Sequence, residues 1–172
     1  MTLLDRARAA FSAQKQAYAA EAEDERPLEG YALAMGAFSV VTAAVAALSA
    51  ARGEDRPVQP RDVVLLGVAS HKLARIASKD AVSSPLRAPF TTYKGPAGPG
   101  EVTEEVRGTG VRHAVGELLT CPYCISPWVA TLLLGGHAVA PRLARQVTTV
   151  FAAVAVADIL QAAYGVLEKK AE

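Results

Sequence analysis

Cysteine and net charge are both scarce in this sequence. The 172 residues, enough for one or at most two small domains, hold only two Cys, which excludes a disulfide-stapled secreted miniprotein. Lys and Arg number 18 against 17 Asp and Glu, a formal charge of +1. A nucleic-acid binder normally concentrates a basic face, so no nucleic-acid partner is expected. Disorder is excluded too, because 51% of the residues are apolar and 20% charged. No internal repeat supports a solenoid. No Gly-x-Ser-x-Gly elbow and no His-Glu-x-x-His helix occurs, and Gly108-Thr109-Gly110 lacks the Lys and preceding strand of a phosphate-binding loop. With no complete catalytic constellation, the reading leans away from an enzyme.

The charges that are present avoid certain stretches. Residues 1–30 form a polar segment, with good helix formers from Leu3 to Ala22 and a thin apolar stripe of Leu3, Leu4, Ala7, Phe11 and Tyr18. This predicts an amphipathic helix, soluble or lying on a surface. It is not expected to be a secretory signal, since no apolar core follows a basic start. Tyr31 to Ala51 then runs 21 residues without a charge, nine of them Ala. At about 1.5 Å per residue this reaches across a hydrocarbon core of roughly 30 Å. Leu118 to Ala140 (23 residues) is also charge-free, and Gln146 to Leu167 (22 residues) carries only Asp158. Asp62 to Lys79 is mixed: Lys72, Arg75 and Lys79 share one helical face, largely opposite Leu65, Leu66, Ala69, Leu73 and Ile76. It is read as a short span with snorkelling cations, in preference to a helix lying in the interface.

The expected fold is therefore all-α. It is a multi-pass helical membrane protein with about four membrane-associated helices and an N-terminal amphipathic helix. Residues 31–167 form the membrane domain, residues 79–112 a cytoplasmic loop dense in Pro and Gly, and residues 168–172 a tail. With spans near 31–51, 62–78, 118–140 and 146–167, the 18 Lys and Arg divide 13 to 5. The richer side holds both termini, which places them in the cytoplasm with the chain in the plasma membrane. The partners expected are the lipid bilayer and other membrane proteins or a second copy of the chain.

Chemistry has few places to sit. Cys121-Pro122-Tyr123-Cys124 matches a glutaredoxin tetrapeptide, but the strand that the thioredoxin-like fold needs ahead of it is missing, so that homology is rejected. Cys121 before Pro122 resembles a helix start, where unpaired N–H groups favour thiolate. A continuous helix would instead gather His113, Glu117, Cys121 and Cys124 on one arc of about 80°, a candidate zinc site. Metal, redox-active and purely structural roles all stay open, and no cofactor beyond zinc is considered. Asp158, at membrane depth with Gln161 at i+3, should point inward and be paired, with Lys72 or Arg75 as candidate partners. His71 and His137 read as packing residues, and Gly135-Gly136 as a close helix approach. Tyr31, Trp128 and Tyr164 read as interface anchors.

One ordered series of motifs goes further. It comprises Lys79-Asp80, Pro85-Leu86-Arg87-Ala88-Pro89-Phe90, Glu101, Arg107-Gly108-Thr109-Gly110 and Gly116 through Cys124, closed by Pro127-Trp128-Val129-Ala130. It resembles the small bacterial membrane-protein family called domain of unknown function 1360, over roughly residues 62–165. The resemblance implies a multi-pass helical protein of the bacterial plasma membrane and no established reaction. Its marker positions are Arg87, Pro89, Phe90, Gly116, Glu117, Cys121, Cys124 and Trp128, none with an assigned role.

Overall fold

A computed structural model describes residues 2–19, 26–53 and 59–171. Among them the elements run α1 (Leu3–Ala19), α2 (Leu28–Ala51), α3 (Pro60–Lys79), a 3-10 turn (Ala81–Ser83), α4 (Ser84–Arg87), β1 (Thr91–Gly98), β2 (Glu101–Val106), α5 (Gly110–Thr120), α6 (Pro122–Val139) and α7 (Pro141–Ala171). The chain is mostly helical, but the expected all-α class needs one correction. The segment anticipated as a loop holds an antiparallel β-hairpin, pairing Thr91 with Val106 and Gly98 with Glu101. Pro and Gly forbid a long helix there, yet a two-stranded ribbon accommodates them. Pro96 lies on an edge, irregular pairing absorbs the extra residues, and Gly100 turns the chain at φ +76.

Local chemistry sets the helix limits. Thr2 and Asp5 form a reciprocal cap on α1: the Thr2 N–H donates to Asp5 Oδ2 at 2.8 Å and the Asp5 N–H donates to Thr2 Oγ1 at 3.2 Å. Pro60 opens α3, and the Gln59 N–H donates to Asp62 Oδ2 at 3.4 Å. The expected third span is cut at Cys121, where α5 and α6 meet at 80°. Pro122 has no N–H to continue α5, and its ring pushes Cys121 into an extended conformation (φ −101, ψ 108).

Four helices pack side by side. α2 and α6 run parallel: Phe38 meets Trp128 edge to face with centroids 5.3 Å apart, and a Cβ on Gly135 would stand 2.8 Å from Val45 Cγ2. Arg52, just past α2, donates to the carbonyls of Ala138 (2.9 Å) and Val139 (3.1 Å) at the end of α6. α3 and α7 run the opposite way, around a core of Ala69, Leu133 and Ala152 with Leu66, Leu73, Val129, Val147 and Phe151. Most buried apolar positions are Ala, which lets backbones approach closely.

α2 buries little more than a narrow seam through Tyr31, Ala34, Phe38, Val41, Val45 and Ser49. Its other faces carry exposed Leu33, Met35 and Val40, and α7 likewise exposes Val150, Val156, Ile159 and Leu160. α2 and α7 are each long and apolar enough to cross a membrane, and the bent α5–α6 pair makes a third candidate if counted as one span. α3 is not among these candidates: Arg61, Asp62, Lys72, Arg75 and Lys79 dilute it.

Candidate functional site

The polar side chains gather at one end of the bundle, where α2 begins, α3 ends and α5 bends into α6. Arg87 organises this cap. Its side chain is wholly buried, yet every guanidinium nitrogen is used. Nε donates to Glu104 Oε2 (2.6 Å) and Nη2 to Glu104 Oε1 (3.2 Å), a bidentate pair. Nη1 donates to the Ala77 carbonyl (2.8 Å) and Nη2 to that of Asp80 (3.0 Å), closing the C-terminal end of α3. Ser83 and Ser84 supply further acceptors. Burial works to raise the pKa of Glu104, but the hydrogen bonds and charge of Arg87, with help from Ser84 and Thr91, outweigh it and hold the carboxyl below its ordinary value.

Three other marker positions, Pro89, Phe90 and Gly116, join the segment after this latch to the hairpin and α5. The Pro89 carbonyl accepts from Arg112 Nε at 3.0 Å, and the Phe90 carbonyl accepts the Arg107 N–H at 2.9 Å. Gly116 lies where a Cβ would stand 2.5 Å from Val106 Cγ1 and 3.1 Å from the Phe90 carbonyl, so α5 rests directly on the hairpin. Gly30 does the same between α2 and α5, with 2.5 Å to Ala114 Cβ.

Glu117 forms a second centre. Its carboxylate accepts from the Tyr31 hydroxyl and, at 3.1 Å, from Arg26 Nη1, while His113 Nε2 lies 3.5 Å away. Tyr31, expected as an interface anchor, thus ties α2 to α5. Lys15, Arg26, Gly108, Thr109, His113 and Glu117 line an open cavity of about 390 Å³. One turn on, Cys121 caps α6: its Sγ accepts the Cys124 N–H at 3.2 Å. Both thiols are free, with Cys121 half-buried and Cys124 exposed. The continuous helix that would have put His113, Glu117, Cys121 and Cys124 on one arc is absent, because the chain turns at Cys121. Among the described residues no set of three or more His, Cys, Asp and Glu is arranged to hold a metal ion, so the zinc reading has no ligand set.

Lower in the bundle, Lys72 Nζ lies 2.7 Å from Asp158 Oδ2, but Asp158 is exposed where an inward orientation was expected, because the Lys72 stem reaches out to it. Arg75, the other candidate, pairs instead with Glu101 of the hairpin. His137 Nε2 lies 3.4 Å from Thr148 Oγ1, and His71 is exposed. Sequence reasoning missed the partnerships of Glu101 and Glu104. The available signal was the inward alternation of Val102, Glu104 and Val106, visible in their burial.

A largely apolar helical bundle with one polar cap defines the class, and sequence comparison names the family. The chain belongs to the family described as protein of unknown function (DUF1360), whose profile matches residues 65–164. It is similar to the sporulation protein YjcA of Bacillus subtilis (strain 168), 35% identical over 102 residues that cover 58% of this chain and 86% of that one. No solved structure matches it. The matched region runs from α3 into α7 and contains both the Arg87 latch and the thiol pair, whereas α1 and α2 lie outside it.

Proposed function

We propose that this protein is an integral membrane protein with four passes, α2, α3, α6 and α7, in the bacterial plasma membrane. Both termini and the polar cap face the cytoplasm. It acts as a non-catalytic scaffold or accessory subunit that presents the cap to another membrane protein. The observation that carries this reading is the inverted packing of α2: small residues and Phe38 make a seam, while the broad apolar remainder faces outward. Water would penalise that surface; lipid tails would not. The charged ends support the same frame, because Arg52, Arg61, Arg142 and Arg145 belong to one end of the bundle. Lys79, Arg87, Arg107, Arg112, Lys169 and Lys170 belong to the other, which the positive-inside rule makes cytoplasmic. α3 passes as a short span whose Lys72 is neutralised by Asp158. The relative's name connects that protein with sporulation, which makes a developmental membrane the physiological setting to test.

Topology reporters fused after residues 53, 95 and 143 test the arrangement. Signals from outside the membrane at 53 and 143, with a cytoplasmic signal at 95, are expected. A cytoplasmic signal at 53 overturns it.

The thiol geometry favours a second reading, a membrane thiol–disulfide oxidoreductase. Two free thiols in one turn at a helix N-terminus would close to a disulfide, passing two electrons and two protons to a partner disulfide that becomes a dithiol. Alkylation across a redox titration decides. Labelling that falls in a two-electron step supports this reading, and labelling unchanged at every potential removes it.

A further inference from the structure

Among the described residues, nothing covers one face of the first helix. Leu3, Leu4, Ala7, Phe11 and Tyr18 fall within about 100° of arc on α1, at about 100° per residue. Leu3 is 84% exposed, Leu4 70% and Tyr18 63%, and of the described α1 side chains only Lys15 is half-buried. Cations flank the stripe on both edges: Arg8 and Lys15 on one, Arg6 on the other. Asp5 is the sole acid in the helix, and it is occupied in the Thr2 cap. The helix is fixed at the level where α2 begins, since Lys15 Nζ lies 3.5 Å from Glu29 Oε1 and Lys15 shares a cavity with Arg26 and Pro27.

We infer that α1 lies in the headgroup plane of an anionic lipid surface, its Leu3–Phe11–Tyr18 stripe among the upper acyl chains and Arg6 and Arg8 among the phosphates. This rests on the proposed membrane reading, which puts the start of α2 at the bilayer boundary. Two things select lipid over a protein partner. The helix stands beside the start of α2, whose exposed apolar surface the membrane reading puts in lipid. The edges of the stripe also carry Arg6 and Arg8, cations that complement an anionic leaflet, while Lys15 is paired with Glu29. The helix would thereby orient the cap against the membrane, a role outside the region matched by the family.

Site-directed spin labels on the full chain test this, in nanodiscs and in a Cys121→Ser/Cys124→Ser background. Labels are introduced as Phe11→Cys, Gln16→Cys and Val40→Cys, one at a time. In nanodiscs containing phosphatidylglycerol, collision with oxygen relative to a water-soluble nickel complex should be severalfold higher at position 11 than at position 16, on the opposite face of α1. In pure phosphatidylcholine that contrast should shrink. Equal ratios at 11 and 16 in the anionic discs, with position 40 still oxygen-favoured, overturn the inference while leaving the membrane reading intact. Nickel-favoured collision at 40 overturns the membrane reading itself. Spin–spin broadening at 11 would assign the stripe to a second copy of the chain, and a contrast independent of lipid charge would refute the role of the cations.

Discussion

Replacing Arg87 with Met should unlatch the cap. The side chain is fully buried, and the Glu104 carboxylate beside it is only 6% exposed. Removing the guanidinium therefore leaves an uncompensated charge in a dry site and takes from the Ala77 carbonyl its Arg87 donor, while the Asp80 carbonyl keeps Ser83. Breaking a buried pair in this way costs about 3–5 kcal/mol, most of it the burial of the remaining ion. The double variant Arg87→Met/Glu104→Leu removes both charges and should recover the larger part of that loss. The partly exposed pair of Arg75 and Glu101 sets the comparison: Arg75→Gln should cost about 1 kcal/mol, because solvent screens it in part. Denaturant unfolding of the protein in nanodiscs, followed by near-UV circular dichroism and by Trp128 fluorescence, measures all three. A loss below about 1 kcal/mol for Arg87→Met, or no recovery in the double variant, would refute the latch.

The same pair predicts a pH dependence. The Glu104 carboxyl is held below its ordinary value of 4.5, so its stabilising effect is complete above about pH 4.5 and disappears as pH falls through the lower folded value; in Glu104→Gln that acid-side loss should flatten in pH-resolved unfolding. Gly116→Ala and Gly30→Ala place a methyl 2.5 Å from Val106 and Ala114 respectively and should each destabilise by about 1–3 kcal/mol, whereas Gly36→Ala meets nothing and should be tolerated. On the membrane reading, Lys72→Met leaves Asp158 without its cation and should lower the yield of folded protein; Lys72→Met/Asp158→Leu should restore it, as read by size-exclusion of the detergent-solubilised chain. Cys121→Ser should preserve the α6 cap where Cys121→Ala weakens it by about 1 kcal/mol in the same unfolding measurement.

Charge and proline marked some helix limits: Arg52 stops α2 and Pro122 starts α6, each acting within one turn. α7, expected from Gln146 to Leu167, instead runs from Pro141 to Ala171, because charges end an apolar run without ending a helix. The helical break at Cys121 was readable from the same local rule, and ignoring it is what made the four-ligand arc imaginable. The hairpin was hidden by its own composition. Pro96, Gly95, Gly98 and Gly100 signal disruption, and only the short alternation at 102–106 argues for a strand.

The site was less legible because its chemistry is pairwise and distant. Arg87 was marked by family resemblance, but nothing local joins it to Glu104, 17 residues away. Glu117 meets Tyr31 across 86 residues, a contact that depends on how α5 lies over the start of α2. Gly30 and Gly116 allow that approach, and neither shows its purpose in the sequence.

The solvent around α2 and α7 decides the account most directly. Membranes from cells expressing the protein, washed with alkaline carbonate, should keep it in the pellet, with release into a monodisperse form only on adding detergent. Recovery of a monodisperse chain in detergent-free buffer would contradict it.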